Sequence, residues 1–148
     1  MINNMKNIIS ALLKNMHEHD QTRRRQIIET QGSPKMDEAK DKTVFYEFKG
    51  ECEERTRIAR FLIDNNALKE KDDYYYAATI IINIGSLENF KIAYKLIKKY
   101  REMGGNKPWR FYDKYFKVQN WGKSKEEIYS EIEKEIDVHP SKLDKDYK

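Results

Sequence analysis

Cysteine is nearly absent from the chain: Cys52 is the single one in 148 residues. A lone cysteine cannot close an internal disulfide, so nothing here requires an oxidising compartment. Long apolar runs are missing too, and no stretch approaches the roughly 20 apolar residues that a membrane span needs. The opening MINNMKNIISALLKNMHEHD has no basic leader, long apolar block or small-residue cleavage site, so no signal peptide is read there. These absences lead to the expectation of a soluble, cytoplasmic protein with no membrane association. Punctuation is sparse, with three prolines and six glycines, and no run alternates as a half-buried strand would. An all-α fold of about five to six helices is therefore expected.

What is present is charge. Charged residues make up 36% of the chain and hydrophobic ones 39%, with the signs mixed and aromatics interleaved. That balance describes one folded domain with a heavily charged surface, not a disordered chain. The net charge of +4 permits an anionic partner without demanding one. Its distribution is uneven. From Ser86 to Lys125 there are eleven Lys or Arg against three Asp or Glu, a net of +8; from Glu126 to Lys148 there are four against eight, a net of −4. A solvated basic face paired with an acidic helix explains this pattern. A landing surface for phosphate or nucleic acid is the sharper alternative.

Helical spacing sets the expected elements. The first helix covers about Asn4 to Gln31 and is broken by GSPK at 32–35. The second covers roughly Asp37 to Asn65, with Gly50 as a point of disturbance. The third, about Asp72 to Ile84, is apolar nearly all round and should be buried. The fourth runs from Leu87 to the paired Gly104 and Gly105, with Phe90, Ala93, Tyr94, Ile97 and Tyr100 on its apolar face. Asn106 and Pro108 suit the start of a fifth helix through Trp109, Tyr112 and Phe116. Ser124 and Glu127 form a capping-box pattern ahead of a sixth helix striped with Ile128, Ile132 and Ile136. Residues 1–136 thus read as a single helical domain and 137–148 as a flexible tail.

Two interruptions of apolar stripes carry the chemistry. Stepping by four from Leu12 gives Met16, Asp20, Arg24 and Ile28, so Asp20 and Arg24 break a helical stripe and can pair on one face. In the second helix Phe48, Cys52, Arg55, Ala59 and Leu62 share a stripe with Arg55 at its centre. An inward arginine needs a carboxylate, carbonyls or a bound anion, and its rigid fork suits phosphate. Asp20, Arg24 and Arg55 are expected to meet in one polar pocket, serving either as a structural ion pair or as a ligand site. Tyr76 aligns with Ile80 and Asn83, so it is the tyrosine of DYYYAATIIIN placed nearest a pocket. Weaker signals are set aside. His17 and His19, two apart on a helix, do not suit zinc, and no metal or cofactor is expected. GKS at 122–124 lacks the earlier glycine of a phosphate loop.

The order of these pieces resembles a bacterial family of unknown function. Its members share an Asp-Gln pair with a following Arg, an acidic-aromatic lead into Ala-Ala and then Gln-His, an Asp-Arg pair, and a closing Gln-x-x-Gly-Thr-Gln. The corresponding stretches here are DQTRR (Asp20, Gln21, Arg24), DYYYAATIIIN (Asp73 to Asn83) and YDKYFKVQNWGKS (Asp113, Lys114, Gln119, Gly122). Ile82-Asn83 stands where the family pattern has Gln-His, Asp113-Lys114 where it has Asp-Arg, and Gly122-Lys123-Ser124 where it has Gly-Thr-Gln. Losing the histidine removes a proton-transfer group, which implies a pocket that binds without turning over.

The expected ligand-binding set is therefore Asp20, Arg24, Arg55, Tyr76, Asn83, Trp109, Tyr112, Asp113 and Lys114, with no catalytic residue assigned. The leading reading is a non-catalytic module that holds an anionic, nucleotide-like small molecule. Such a module could sequester a signal or inhibit a partner protein, as phage or mobile-element proteins do. One alternative is a hydrolase of phosphoester or glycosidic bonds with Asp20 or Asp113 as acid or base. The other is a protein- or nucleic-acid-interaction module using the basic 86–125 face.

Overall fold

The computed structural model describes residues 2–33, 36–109 and 122–145. Among them are five α-helices: α1 (Ile2–Gln31), α2 (Thr43–Asp64), α3 (Lys71–Ile81), α4 (Leu87–Glu102) and α5 (Lys125–Ile136). Short 3₁₀ turns lie at Met36–Glu38 and Pro140–Lys142. The described residues contain no strand, and the fold is all-α.

The helix limits follow local hydrogen bonding. α2 begins later than its spacing predicts, because Asp41 accepts both the backbone N–H and the hydroxyl of Thr43, at 3.0 and 2.6 Å, and so organises the first turn. The helix then runs through Gly50 without a break. α3 starts where Asp73 reaches back to the backbone N–H groups of Lys69 and Glu70 at 3.1 and 2.9 Å. It ends at Ile81, so Asn83 lies in the turn beyond it, half-buried. Ser86 and Ser124 cap α4 and α5, accepting from the backbone N–H of Asn89 and Glu127. After α4, Gly104 takes φ +88°, and a Cβ on Gly105 would fall 2.2 Å from the Tyr100 ring. The predicted helix does not open at Asn106–Pro108: residues 105–109 are irregular, and Trp109 instead forms a single antiparallel bridge with Lys145. Tyr112, Asp113, Lys114 and Phe116 lie outside the described residues.

α3 is the centre of the packing, contacting α1, α2 and α4. All five expected apolar residues of α4 are buried, as are Ile128, Ile132 and Ile136 of α5. The inward stripe of α1 is rotated from the predicted one. Leu13, Met16, Asp20, Ile27 and Gln31 are buried, while Leu12 and Ile28 face out. Register slips by one residue because α1 packs on α3 at its N-terminal half and on α2 further on.

The segment after Asp137 is docked as far as Lys145, contrary to the expected loose tail. Pro140 and Leu143 are buried. Asp144 accepts hydrogen bonds from the hydroxyls of Tyr94 (2.6 Å) and Tyr129 (2.9 Å), and those hydroxyls lie 2.9 Å from each other. Lys145 exchanges two 2.8 Å backbone hydrogen bonds with Trp109. Burial, followed by the neighbouring Tyr129 and Asp144, pushes the Tyr94 phenol far above its ordinary value, so it remains a hydrogen-bond donor. The sequence hid this strap because a lone carboxylate aimed at two tyrosines leaves no periodic signal. Asp144→Ala should cost about 1–3 kcal/mol by removing the acceptor of two buried hydroxyls. Urea denaturation checks this: an unchanged midpoint in Asp144→Ala would mean that the strap is not part of the fold.

Candidate functional site

Asp20 is only 2% exposed, and four side chains converge on it. Arg24 Nε, one turn along α1, donates to Oδ2 at 2.9 Å. Arg55 Nη2, from α2, donates to Oδ1 at 3.1 Å. Gln21 Nε2 and Cys52 Sγ lie 3.4 and 3.7 Å away. The expected meeting of Asp20, Arg24 and Arg55 is thus observed. It arises because stripe positions 20 and 24 of α1 face stripe positions 52 and 55 of α2.

Around this centre the network continues. Arg55 Nη1 lies 3.2 Å from His19 Nδ1 and 3.9 Å from Glu51. Glu51 also pairs with Arg23 at 3.3 Å. The Phe48 ring faces both guanidiniums, with Arg24 Cζ 5.0 Å and Arg55 Cζ 5.8 Å from its centroid. Asp20 carries both the Arg24 and Arg55 guanidiniums at close range, with Glu51 a more distant partner of Arg55 at 3.9 Å. Arg55 Nε is buried and has no hydrogen-bond partner among the described residues. Burial, aided by the charge of Asp20, pushes the Cys52 thiol up, which leaves it an unreactive member of the packing.

Tyr76 sits elsewhere, on α3 where it faces the N-terminal half of α1. It lines a cleft of about 300 Å³ with Ser10, Lys14, Glu70, Asp72 and Asp73. Asp73 is buried and accepts from Ser10 Oγ at 2.6 Å. Lys107 Nζ lies over the rings of Tyr75 and Tyr76 at 5.1 and 5.0 Å, and 3.5 Å from Asp72. Between the two clusters, His17 packs on Tyr76 (5.1 Å) and Tyr75 (6.1 Å), with Thr79 Oγ1 3.1 Å from its Nδ1. Ser10, His17, Asp20 and Arg24 therefore form one polar seam along α1. Sequence reasoning missed Asp73, His17 and Lys107. Asp73 could have been found as the third residue of a capping box; the other two could not, because their partners are remote in sequence.

The remaining expected residues fare differently. Trp109 is 3% exposed and packs edge-on against Tyr94 at 5.1 Å, so its ring offers no stacking face. Asn83, in the turn after α3, bonds through its backbone N–H to the Ile80 carbonyl at 3.3 Å and shares no hydrogen bond with the Asp20 cluster among the described residues. Part of the basic stretch is answered by α5. Lys91 pairs with Glu131 and Glu135 at 2.9 and 3.8 Å, Lys95 with Glu135 at 3.4 Å, and Lys123 with Glu131. Hydrogen bonds from Lys123 and then Lys91 hold the Glu131 carboxyl down to about 2. Lys98 donates to the Ile136 carbonyl at the end of α5 at 2.7 Å.

No family model matches the chain, and no curated protein or solved structure matches it either.

Removing one partner of this cluster should expose its energetics. Asp20→Ala leaves the Arg55 guanidinium buried without its carboxylate and should cost about 3–5 kcal/mol in chemical denaturation. Arg24→Met and Arg55→Met should be non-additive by about 0.5–3 kcal/mol, because both act through Asp20. Simple additivity would show that the two arginines do not share it.

Proposed function

We propose that the α1–α2 cluster binds an anionic small molecule, nucleotide-like in chemistry, and that the protein acts by holding it without turnover. The observation that carries this reading is Arg55: its guanidinium is more than nine-tenths buried and shares one carboxylate with Arg24, and the Nε of Arg55 has no acceptor among the described residues. A buried N–H of a charged group left without an acceptor is costly, and a ligand oxygen would relieve it. The adjoining Phe48 ring supplies an aromatic neighbour for a base. The resemblance at Asp20, Gln21 and Arg24 supports the same end of α1. Sequestration or inhibition is the role that such a small, non-catalytic binder would serve.

The hydrolase reading has less support. Both oxygens of Asp20 accept from guanidiniums, an arrangement suited to positioning and not to proton transfer. The interaction-surface reading is weakened by the carboxylates of α5, which pair with Lys91 and Lys95.

Native mass spectrometry of gently purified protein, with thermal shifts in AMP and in inorganic phosphate, tests the proposal. A ligand at one hundred times its Kd stabilises by about 2.7 kcal/mol, so a clear rise in Tm is expected with AMP, reduced in Arg55→Met. A clean apo mass together with no shift in either probe would sink the reading.

A further inference from the structure

Beside the cleft at Tyr76 lies a side chain that nothing above explains, 3.5 Å from two residues that line it, Asp72 and Tyr76. Lys107 leaves an otherwise well-held loop. Its backbone N–H donates to Tyr100 Oη at 2.9 Å, its carbonyl accepts from Arg101 Nη1 at 2.9 Å, and the Pro108 carbonyl accepts from Tyr75 Oη at 3.3 Å. The side chain is held more weakly. Its ammonium rests on two tyrosine rings at about 5 Å and lies 3.5 Å from both Asp72 and Tyr76 Oη. The backbone can therefore stay in place while the ammonium leaves.

His17 shares the same platform. Its ring centroid is 5.1 Å from that of Tyr76, about the distance of the Lys107 ammonium from the same ring. Thr79 Oγ1 lies 3.1 Å from His17 Nδ1 and within reach of the Tyr76 and Tyr75 carbonyls at 2.9 and 3.2 Å, so it holds the imidazole against α3. The charged groups around the ring come from each element packed against it. α1 contributes Glu18 and Asp20, and the loop after α4 contributes Lys107. α3 contributes Tyr75, Tyr76 and Thr79, with Asp72 reached through Lys107. Asp20 favours an imidazolium, but its charge is already shared by Arg24 and Arg55.

We propose that His17 is a proton-operated gate for Lys107 docking beside this cleft: neutral, it leaves the Lys107 ammonium docked on Tyr75, Tyr76 and Asp72; protonated, it expels that ammonium from the tyrosine platform. Two cations on one ring pair repel, and the one on the flexible stem moves. The direction of titration agrees. Burial lowers the His17 pKa from 6.5 in the docked state; Asp20 opposes it, the Lys107 charge assists it to a smaller extent, and Glu18 opposes it least. The open state then binds the proton more readily. The docked state is fully favoured above about pH 6.5 and loses ground as pH falls from there through the lowered value.

The ring-current shift of the Lys107 side-chain methylene signals, assigned by their loss in Lys107→Met, reports docking directly. Between about pH 7.5 and about pH 5, above the ordinary carboxylate range, these signals should move several-fold closer to free-lysine positions in step with the His17 titration. In His17→Gln they should stay put. Shifts that persist at low pH, or an equal loss in His17→Gln, would overturn the gate, as would a His17 that titrates at or above 6.5. The Lys107→Met protein gives a second reading that does not depend on the His17 variant folding: its His17 pKa should rise, and an unchanged value would count against the proposal.

Discussion

A carboxylate buried to 2% exposure must be compensated or it destabilises the fold, and Asp20 therefore dictates how α1 and α2 meet. Its two oxygens take one guanidinium from its own helix and one from α2. That arrangement places Asp20 on the inward side of α1 with Leu13, Met16 and Ile27, while Leu12 and Ile28 stay exposed. It also fixes the depth at which α2 lies, because Arg55 must reach the same carboxylate while Cys52, Ala59 and Leu62 pack beneath it. An apolar contact would tolerate sliding by a methylene or two. A shared carboxylate does not, since charge-assisted hydrogen bonds are steep in distance and angle.

The rest of the molecule is built on a different principle. α3, α4 and α5 meet through Ile80, Ile81, Phe90, Tyr94, Ile97, Ile128 and Ile132, which are almost wholly buried. Polar groups in this half are held by local partners in the Tyr94–Tyr129–Asp144 cluster, while Arg101 Nη2 on α4 is buried with no hydrogen-bond partner among the described residues. The charged face of α4 is answered by carboxylates on α5, so the large opposite charges of the two stretches largely cancel where they touch. Exposed pairs of this kind add little stability. Their effect is local, offsetting the charge of Lys91 and Lys95 where α4 meets α5.

Legibility in the sequence followed the same division. The face of α4, the stripe of α5 and the stripe Phe48–Leu62 of α2 could be read directly, because an apolar period of 3.6 has one buried solution. The convergence of Asp20, Arg24 and Arg55 was legible for the same reason: polar residues at stripe positions must point inward. Three features were not. The rotation of α1 depends on which neighbour each half contacts, and a 30-residue helix with apolar residues at 8, 9, 12, 13, 27 and 28 admits two faces. The strap at 138–145 is held by single residues, Asp144 above all, with no repeat to betray them. The Lys107–Tyr76–His17 contact joins positions far apart in the chain, and neither helical spacing nor capping rules reach that distance.

These two halves differ in what can change them. Moving an apolar helix pair exposes hydrocarbon and is opposed over its whole area. Exchanging partners within a hydrogen-bonded polar seam needs only that a new group offer equivalent donors or acceptors. The seam from Ser10 to Arg24 is thus the part of the fold most open to an outside oxygen, proton or ammonium. Its two proposed events also lie close together, since His17 and Asp20 are three residues apart on one helix face. An anion held by Arg24 and Arg55 would offset some of their charge and favour a proton on His17, while that proton would favour the anion. Such coupling must be reciprocal, because both are equilibria of one state. In this structure it would pass through the Asp20 carboxylate, whose charge is felt by His17 and shared by both arginines.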